Sequence, residues 1–389
     1  MSYFQPYIDK NFSDELKLLV YLSKDELKEK ITFSLNDIDW NTFVENAIRH
    51  RLVSHILKHT DFVEKHFPVQ IHKKLLRLRL DQSKKSLNFA IHIIRINQKF
   101  NEQNIAHCFF KGALFSLELY SDVGFRNFKD LDVLVAQKDV EQARAIIEQL
   151  DFQCIYPGIN LTEKQKKINY KLSHHYHFIH PSQGVEIELH WNITNPRSYF
   201  GKNTEHIIAD SRHMMVSSYP VPYISAIDNL VFQAAHGSIH QWYRLFWLKD
   251  FSVLLNRTSS EDFKKAVEVS KTLKLSRSFR QACFLSSLIY RTGLTNIPLK
   301  QPSVYLMKVP LKSISTTDLS QQGIKGKLKL VYYRLKLKPG LTYHFNLLYR
   351  LRTHLTDWEI IRINDNFFFL YYLLRPFLLL YKFLFKKRS

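Results

Sequence analysis

Asp130 and Asp132 lie one residue apart at the head of an apolar run, Asp130-Leu131-Asp132-Val133-Leu134-Val135. In a β-strand, residues i and i+2 point to the same side. A strand here presents both carboxylates on one face, while Leu131, Val133 and Val135 anchor the other in a core. Unpaired charge is costly in an apolar interior, and two convergent carboxylates suit a hard divalent cation that takes oxygen ligands. Asp130 and Asp132 therefore read as metal ligands.

About twenty residues earlier stands Phe109-Phe110-Lys111-Gly112-Ala113-Leu114-Phe115, a short apolar strand that turns at Lys-Gly-Ala into a helical stretch, Leu114 to Tyr120. A glycine at a strand-to-helix turn lets backbone N–H groups approach an anion, and the helix N-terminus adds partial positive charge. Strand, phosphate-cradling turn, helix and then a strand with two carboxylates is the order of parts that metal-assisted nucleotidyl transfer needs. A third carboxylate is then expected from a neighbouring strand. The run Val185-Glu186-Ile187-Glu188-Leu189-His190-Trp191 alternates apolar and polar, so Glu186, Glu188 and His190 share a face. With the aromatic run His174 to His180 it reads as a hairpin closed by Pro181-Ser182-Gln183-Gly184. If His180 pairs with Val185, His177 lies opposite Glu188 and His175 opposite His190. His190 and His177 are then placed to touch or orient Glu188. His175, His177 and His190 also compose a histidine set for a transition metal. No cysteine falls among them, and polar cross-strand pairs are the plainer account.

Taken in order, Phe110-Lys111-Gly112-Ala113, Leu119-Tyr120-Ser121-Asp122, Arg126, Asp130-Leu131-Asp132-Val133-Leu134-Val135 and Glu188-Leu189-His190-Trp191 resemble the uncharacterised nucleotidyltransferase family of the polymerase-β-like superfamily. The resemblance extends upstream to the lead-in Asn101 to Ala106. Downstream it reaches His236 and Leu245-Phe246-Trp247-Leu248-Lys249-Asp250, so that it covers roughly residues 70 to 256.

The resemblance implies an α+β fold: a polymerase-β-like core, a mixed sheet with helices, flanked by N- and C-terminal helical regions. Asp130 and Asp132 become the paired metal-binding carboxylates and Glu188 the third. Lys111, Gly112, Ala113 and Arg126 become the nucleotide-binding residues, Arg126 through bidentate contact with phosphate. The implied reaction is Mg²⁺- or Mn²⁺-dependent: a nucleoside monophosphate passes from a nucleoside triphosphate to an unidentified acceptor, and pyrophosphate leaves. Two departures from the superfamily pattern stand out. The usual Gly-Ser is Gly112-Ala113 here, and the third carboxylate is Glu rather than Asp. The alternative reading is a catalytically silent relative that binds nucleotide or membrane as part of an assembly.

Placing these residues calls for elements along the whole chain. Only 10 glycines and 12 prolines among 389 residues favour long helices over an all-β fold. Residues 1–100 read as a helical N-terminal region, with Ile71, Leu75, Leu78, Leu87, Ile91 and Ile94 at helical spacing. Residues 101–220 read as the catalytic core, including an amphipathic helix over Asp139 to Leu150 with Asp139 as N-cap. Residues 221–300 read as a helical domain. Residues 301–389 read as a basic, aromatic-rich helical region. Three widely spaced cysteines fit a reducing compartment. The first residues lack a basic segment followed by an apolar one, so the cytoplasm is the expected location.

Charge is uneven. Residues 271–389 carry 22 Lys and Arg against 4 Asp and Glu, which accounts for +18 of the total +21. The apolar stretch Phe367 to Phe385 is interrupted by Arg375-Pro376 and Lys382, so no spanning helix is expected. Residues 325–389 suit peripheral contact with an anionic membrane at its inner face. A helix folded back on the core with its lysines in water is the competing expectation, and nucleic acid is the lesser partner.

Overall fold

A computed structural model describes residues 4–195, 199–293, 299–316, 324–340, 343, 345 and 353–385. The chain folds as two compact units, each drawn from three stretches of sequence. One comprises Met1–His92, Lys111–Lys129 and Ile224–Lys338; the other comprises Ile93–Phe110, Asp130–Tyr223 and Pro339–Ser389.

The second unit holds one seven-stranded sheet in the order β3-β4-β5-β2-β1-β7-β6. Its strands are β1 (His107–Phe110), β2 (Asp130–Val135), β3 (Gln153–Tyr156), β4 (His175–Ile179), β5 (Glu186–His190), β6 (Arg212–Val216) and β7 (Tyr219–Tyr223). β2 and β5 run parallel, as do β1 and β7, while the other neighbours are antiparallel. The fold is thus α+β with a mixed sheet. β1 and β2 are buried almost throughout, as central strands require. β4 and β5 instead alternate: Tyr176, Phe178, Ile187 and Leu189 are buried, while His175, His177, Glu186 and Glu188 are half-buried. One face of these strands belongs to the core and the other is polar.

The helix at Val140–Gln149 packs on β5 through an apolar stripe of Val140, Ala143, Ile146 and Ile147. Asp139 occupies its N-cap position but makes no side-chain capping bond, because a 3₁₀ turn at Gln137–Asp139 gives it helical backbone angles (φ −96°, ψ −2°). β7 carries Pro220 and Pro222, which cannot donate to a ladder. Its inner edge tolerates them because β7 meets β1 at a single pair, Phe109 with Tyr223.

The same unit closes with helices Leu355–Ile360 and Leu370–Phe385 around Trp358, Leu355, Phe368 and Tyr371. Asp357 is fully buried beneath them, and both Arg375 and Lys382 pair with it. Burial raises the Asp357 carboxyl pKa, but these cations and the His354 N–H pull it below the usual range. Charge therefore turns inward on this last helix, while Phe369, Leu373, Phe377 and Leu380 face out. Lys382, the one lysine of this helix, is thus paired with Asp357 where the fold-back reading put the lysines in water. Residues 386–389 lie outside the described residues.

The described residues of the first unit are helical wherever they form regular structure. The helices Ala226–Ile239, Leu245–Arg257, Ser260–Thr272 and Ser276–Tyr290 pack together. Gly237 admits the Trp242 ring, which a Cβ there would meet at 2.3 Å. The residues at helical spacing from Ile71 to Ile94 fall in one element of 34 residues, Val69–Glu102, and the basic stretch from 325 falls in the helix Ile324–Leu337. No helix among the described residues is long and apolar enough to cross a membrane.

Candidate functional site

The polar face of the second unit follows from register. β2 and β5 pair Asp130 with Glu186, Asp132 with Glu188 and Leu134 with His190. β4 and β5 pair His177 with Glu188 and His175 with His190, the pairing that the Pro181–Gly184 turn implies. Paired residues on adjacent strands emerge on the same side. Two strand-borne carboxylates from β2, two from β5 and three histidines therefore share one face.

At its centre His190, 1% exposed, points Nε2 at Asp132 Oδ1 and at Glu188 Oε2, each 3.1 Å away. Its Nδ1 lies 3.4 Å from the Asn192 carbonyl oxygen, and Phe110 packs against the ring edge at 5.0 Å between centroids. Burial alone would depress the imidazole pKa. The bonds and charges of Asp132 and Glu188 outweigh it and shift the pKa upward. Asp132 is buried and the Glu188 side chain is 21% exposed, so the pair has a closed and an open side. Donor atoms of Asp132, Glu188 and His190 all lie within 4.8 Å of one another.

Asp130 lies two pairs nearer the strand start, half-buried and outside that group. His177 meets Glu186 (Nε2 to Oε2, 2.8 Å). Two further histidines approach the centre: His175 Nε2 lies 3.7 Å from Glu188 Oε1, and His174 Nε2 lies 3.2 Å from His175 Nδ1. His174 precedes the strand, where alternation gives no signal. Glu186 shares the polar face, as the alternation of its strand implies.

The Lys-Gly turn belongs to the first unit. Lys111 takes φ +59° and ψ −149°, and Gly112 takes φ +50°, at the head of the helix Gly112–Tyr120. For a residue with a side chain such angles cost on the order of 1–3 kcal/mol and collect at functional sites. The Lys111 ammonium stands 5.3 Å over the Phe232 ring. Ala113 is buried as the second helical residue.

Arg126 braces this turn. Its Nη1 donates to the Gly112 carbonyl at 3.1 Å, its backbone N–H donates to Ser116 Oγ at 2.9 Å, and its Nε donates to Asp250 Oδ2 at 2.6 Å. The Tyr120 hydroxyl donates to the other Asp250 oxygen at 2.7 Å. Burial pushes the Asp250 carboxyl up, an effect that Arg126 and Tyr120 offset only in part. The partner of Arg126 is thus the aspartate of Leu245-Phe246-Trp247-Leu248-Lys249-Asp250, a stretch that carries the family resemblance. His236 and His240 pack with Trp247 at 5.1 Å and 5.5 Å between centroids.

Residues 36–291 match the profile of a family described as uncharacterised nucleotidyltransferase. The chain belongs to that family. Six chains of solved structure also match. One, titled an antigenic nucleotidyltransferase-like protein from Paracoccidioides brasiliensis, is 15% identical with a TM-score of 0.30, over 49% of this chain and 91% of that chain. A search of the curated proteins finds no match.

Proposed function

We propose that the protein is a divalent-metal-dependent nucleotidyltransferase that moves a nucleoside monophosphate from a nucleoside triphosphate to an acceptor, with Mg²⁺ or Mn²⁺ as cofactor. One observation carries the reading: Asp132 and Glu188, paired across parallel strands, converge within 3.1 Å of a single buried nitrogen. Carboxylates gathered this way are costly unless a cation neutralises them, so the donor set fits a metal. Asp130, on the same face, would complete the ligands.

A bound divalent cation would screen the triphosphate and stabilise charge on the entering and leaving oxygens. The chain's own groups do the rest. Asp132 and Asp130 fix the cation side of the substrate. Glu188, on the open side, orients the acceptor and takes its proton. The acceptor oxygen or nitrogen bonds to the α-phosphorus as the bond from that phosphorus to the bridging oxygen breaks, and the electron pair leaves with pyrophosphate. Lys111 and the N–H groups of Gly112 and Ala113 bind phosphate oxygens. Arg126 positions the turn through the Gly112 carbonyl. The apolar outer face of the last helix supports a peripheral position at an anionic membrane.

The test is nucleotide binding and pyrophosphate release with ATP, GTP, CTP and UTP, comparing wild type with Asp132→Ala/Glu188→Ala. Metal-dependent binding of one nucleotide by wild type and its loss in the variant is expected. Binding that persists in the variant, or no binding by either protein, overturns the proposal.

A further inference from the structure

Imidazole is out of place in a site built for Mg²⁺ alone. Mg²⁺ takes oxygen ligands in near-octahedral geometry and gives up water reluctantly, whereas imidazole suits Zn²⁺, Co²⁺ and their neighbours. In this protein an imidazole occupies the middle of the carboxylate pair, and two more lie beside it. The donor atoms of His174, His175 and His190 are within 4.8 Å of one another, and so are those of Asp132, Glu188 and His190. The two triads share His190.

Within each triad the separations are short enough for one small ion to bridge neighbouring donors. Bonds of about 2.0–2.1 Å in tetrahedral geometry put neighbouring donor atoms about 3.3–3.4 Å apart. Here the separations are 3.1 Å for His190 to Asp132, 3.1 Å for His190 to Glu188 and 3.2 Å for His174 to His175. His175 turns its other nitrogen, Nε2, toward Glu188 Oε1 at 3.7 Å, so the imidazole trio and the carboxylate pair are two donor groups joined at His190. Backbone register holds this set in place. His175 and His190 are paired across β4 and β5, and the His174 carbonyl accepts the Trp191 N–H at 3.0 Å, which ties the residue before β4 to the end of β5. The hairpin thus converts an acidic face into a mixed nitrogen and oxygen face.

We infer that the second unit binds a first-row transition-metal ion in preference to Mg²⁺ through the imidazoles of His174, His175 and His190, beside the carboxylates of Asp132 and Glu188 that His190 contacts. The inference deepens the proposed function by naming the class of metal, and it rests on the metal site of that reading but not on nucleotidyl transfer.

The experiment uses the full-length protein stripped with EDTA. Co²⁺ is titrated and followed by its visible d–d absorption, Zn²⁺ and Mg²⁺ are added as competitors, and bound metal is measured after dialysis. One equivalent of Co²⁺ is expected, displaced by Zn²⁺ and held against about a hundredfold excess of Mg²⁺. His174→Ala/His175→Ala should weaken Co²⁺ binding by at least the roughly 10–100-fold that loss of a merely supporting partner costs. His190→Asp, which makes the centre richer in oxygen, should shift the preference toward Mg²⁺. Wild-type protein that shows no Co²⁺ absorption, or that holds Zn²⁺ no more tightly than Mg²⁺, has a hydrogen-bonded cluster only, and the inference falls. It falls equally if the folded histidine variant, checked by circular dichroism, binds Co²⁺ unchanged. Metal-dependent nucleotide binding is read separately on wild type: its absence beside tight Co²⁺ binding sinks the nucleotidyltransferase reading and leaves this site standing.

Discussion

Asp250→Ala should destabilise the first unit severely, and the reason lies in what it would strand. The Arg126 side chain is 6% exposed and that of Asp250 is 1%, with 2.6 Å between Nε and Oδ2. Removing the carboxylate leaves a guanidinium and the Tyr120 hydroxyl without their shared acceptor, away from water. Breaking a buried pair by deleting one partner costs on the order of 3–5 kcal/mol, because the remaining charge is uncompensated. Replacing both partners with apolar groups is far milder. Arg126→Met/Asp250→Leu should therefore recover at least half of the loss, since Arg126 already lies against the rings of Phe115 and Phe246. Guanidinium chloride unfolding at constant m gives the differences, and hydrogen exchange over Gly112–Tyr120 shows whether the turn loosens with them. Two results would refute the reasoning. One is an Asp250→Ala variant within about 1 kcal/mol of wild type, well short of the broken-pair cost. The other is an Arg126→Met variant of unchanged stability that loses nucleotide affinity, which would make Arg126 a phosphate ligand rather than a brace.

Acid should weaken the same unit through His50. Burial, then Arg49 and Arg244, push its pKa from 6.5 to about 3, and its Nδ1 accepts the Leu245 N–H at 3.0 Å, so the folded ring is neutral. As pH falls from 6.5 toward 3 the unfolded chain gains a proton that the folded one refuses, and stability drops by roughly 1.4 kcal/mol per pH unit; a His50→Asn variant with the same slope would contradict this. Lys111→Gly should raise stability by on the order of 1 kcal/mol by releasing a strained backbone, while lowering nucleotide affinity through the lost ammonium. A destabilised glycine variant would show that the angles are not strained. Finally, the outward face of Phe369, Leu373, Phe377 and Leu380, followed in sequence by Lys386-Lys387-Arg388, should sediment the protein with anionic vesicles but not neutral ones. Phe377→Glu should abolish that binding, and wild-type protein that stays in the supernatant refutes it.

What could be read from residue order divides along a physical line. Local periodicity carried the hairpin to residue level, because a period of two and a short turn leave one register that keeps Tyr176, Phe178, Ile187 and Leu189 inside. Gly112 and the helix after it were equally local. Arg126 was not. The family resemblance offers it phosphate, yet its carboxylate partner stands 124 residues downstream, where no period or turn rule reaches. β7 also escaped, since Pro220 and Pro222 demote any strand read from sequence alone, and only the single-pair contact with β1 makes them harmless. The last helix shows the same limit in reverse. Its composition, apolar and basic, was plain, but which face each kind of residue takes depends on Asp357, a buried carboxylate that draws Arg375 and Lys382 inward. Long-range charge pairing thus decides the two features most relevant to function. It ties Arg126 to the Gly112 turn through Asp250, and it leaves the aromatic side of the final helix turned outward.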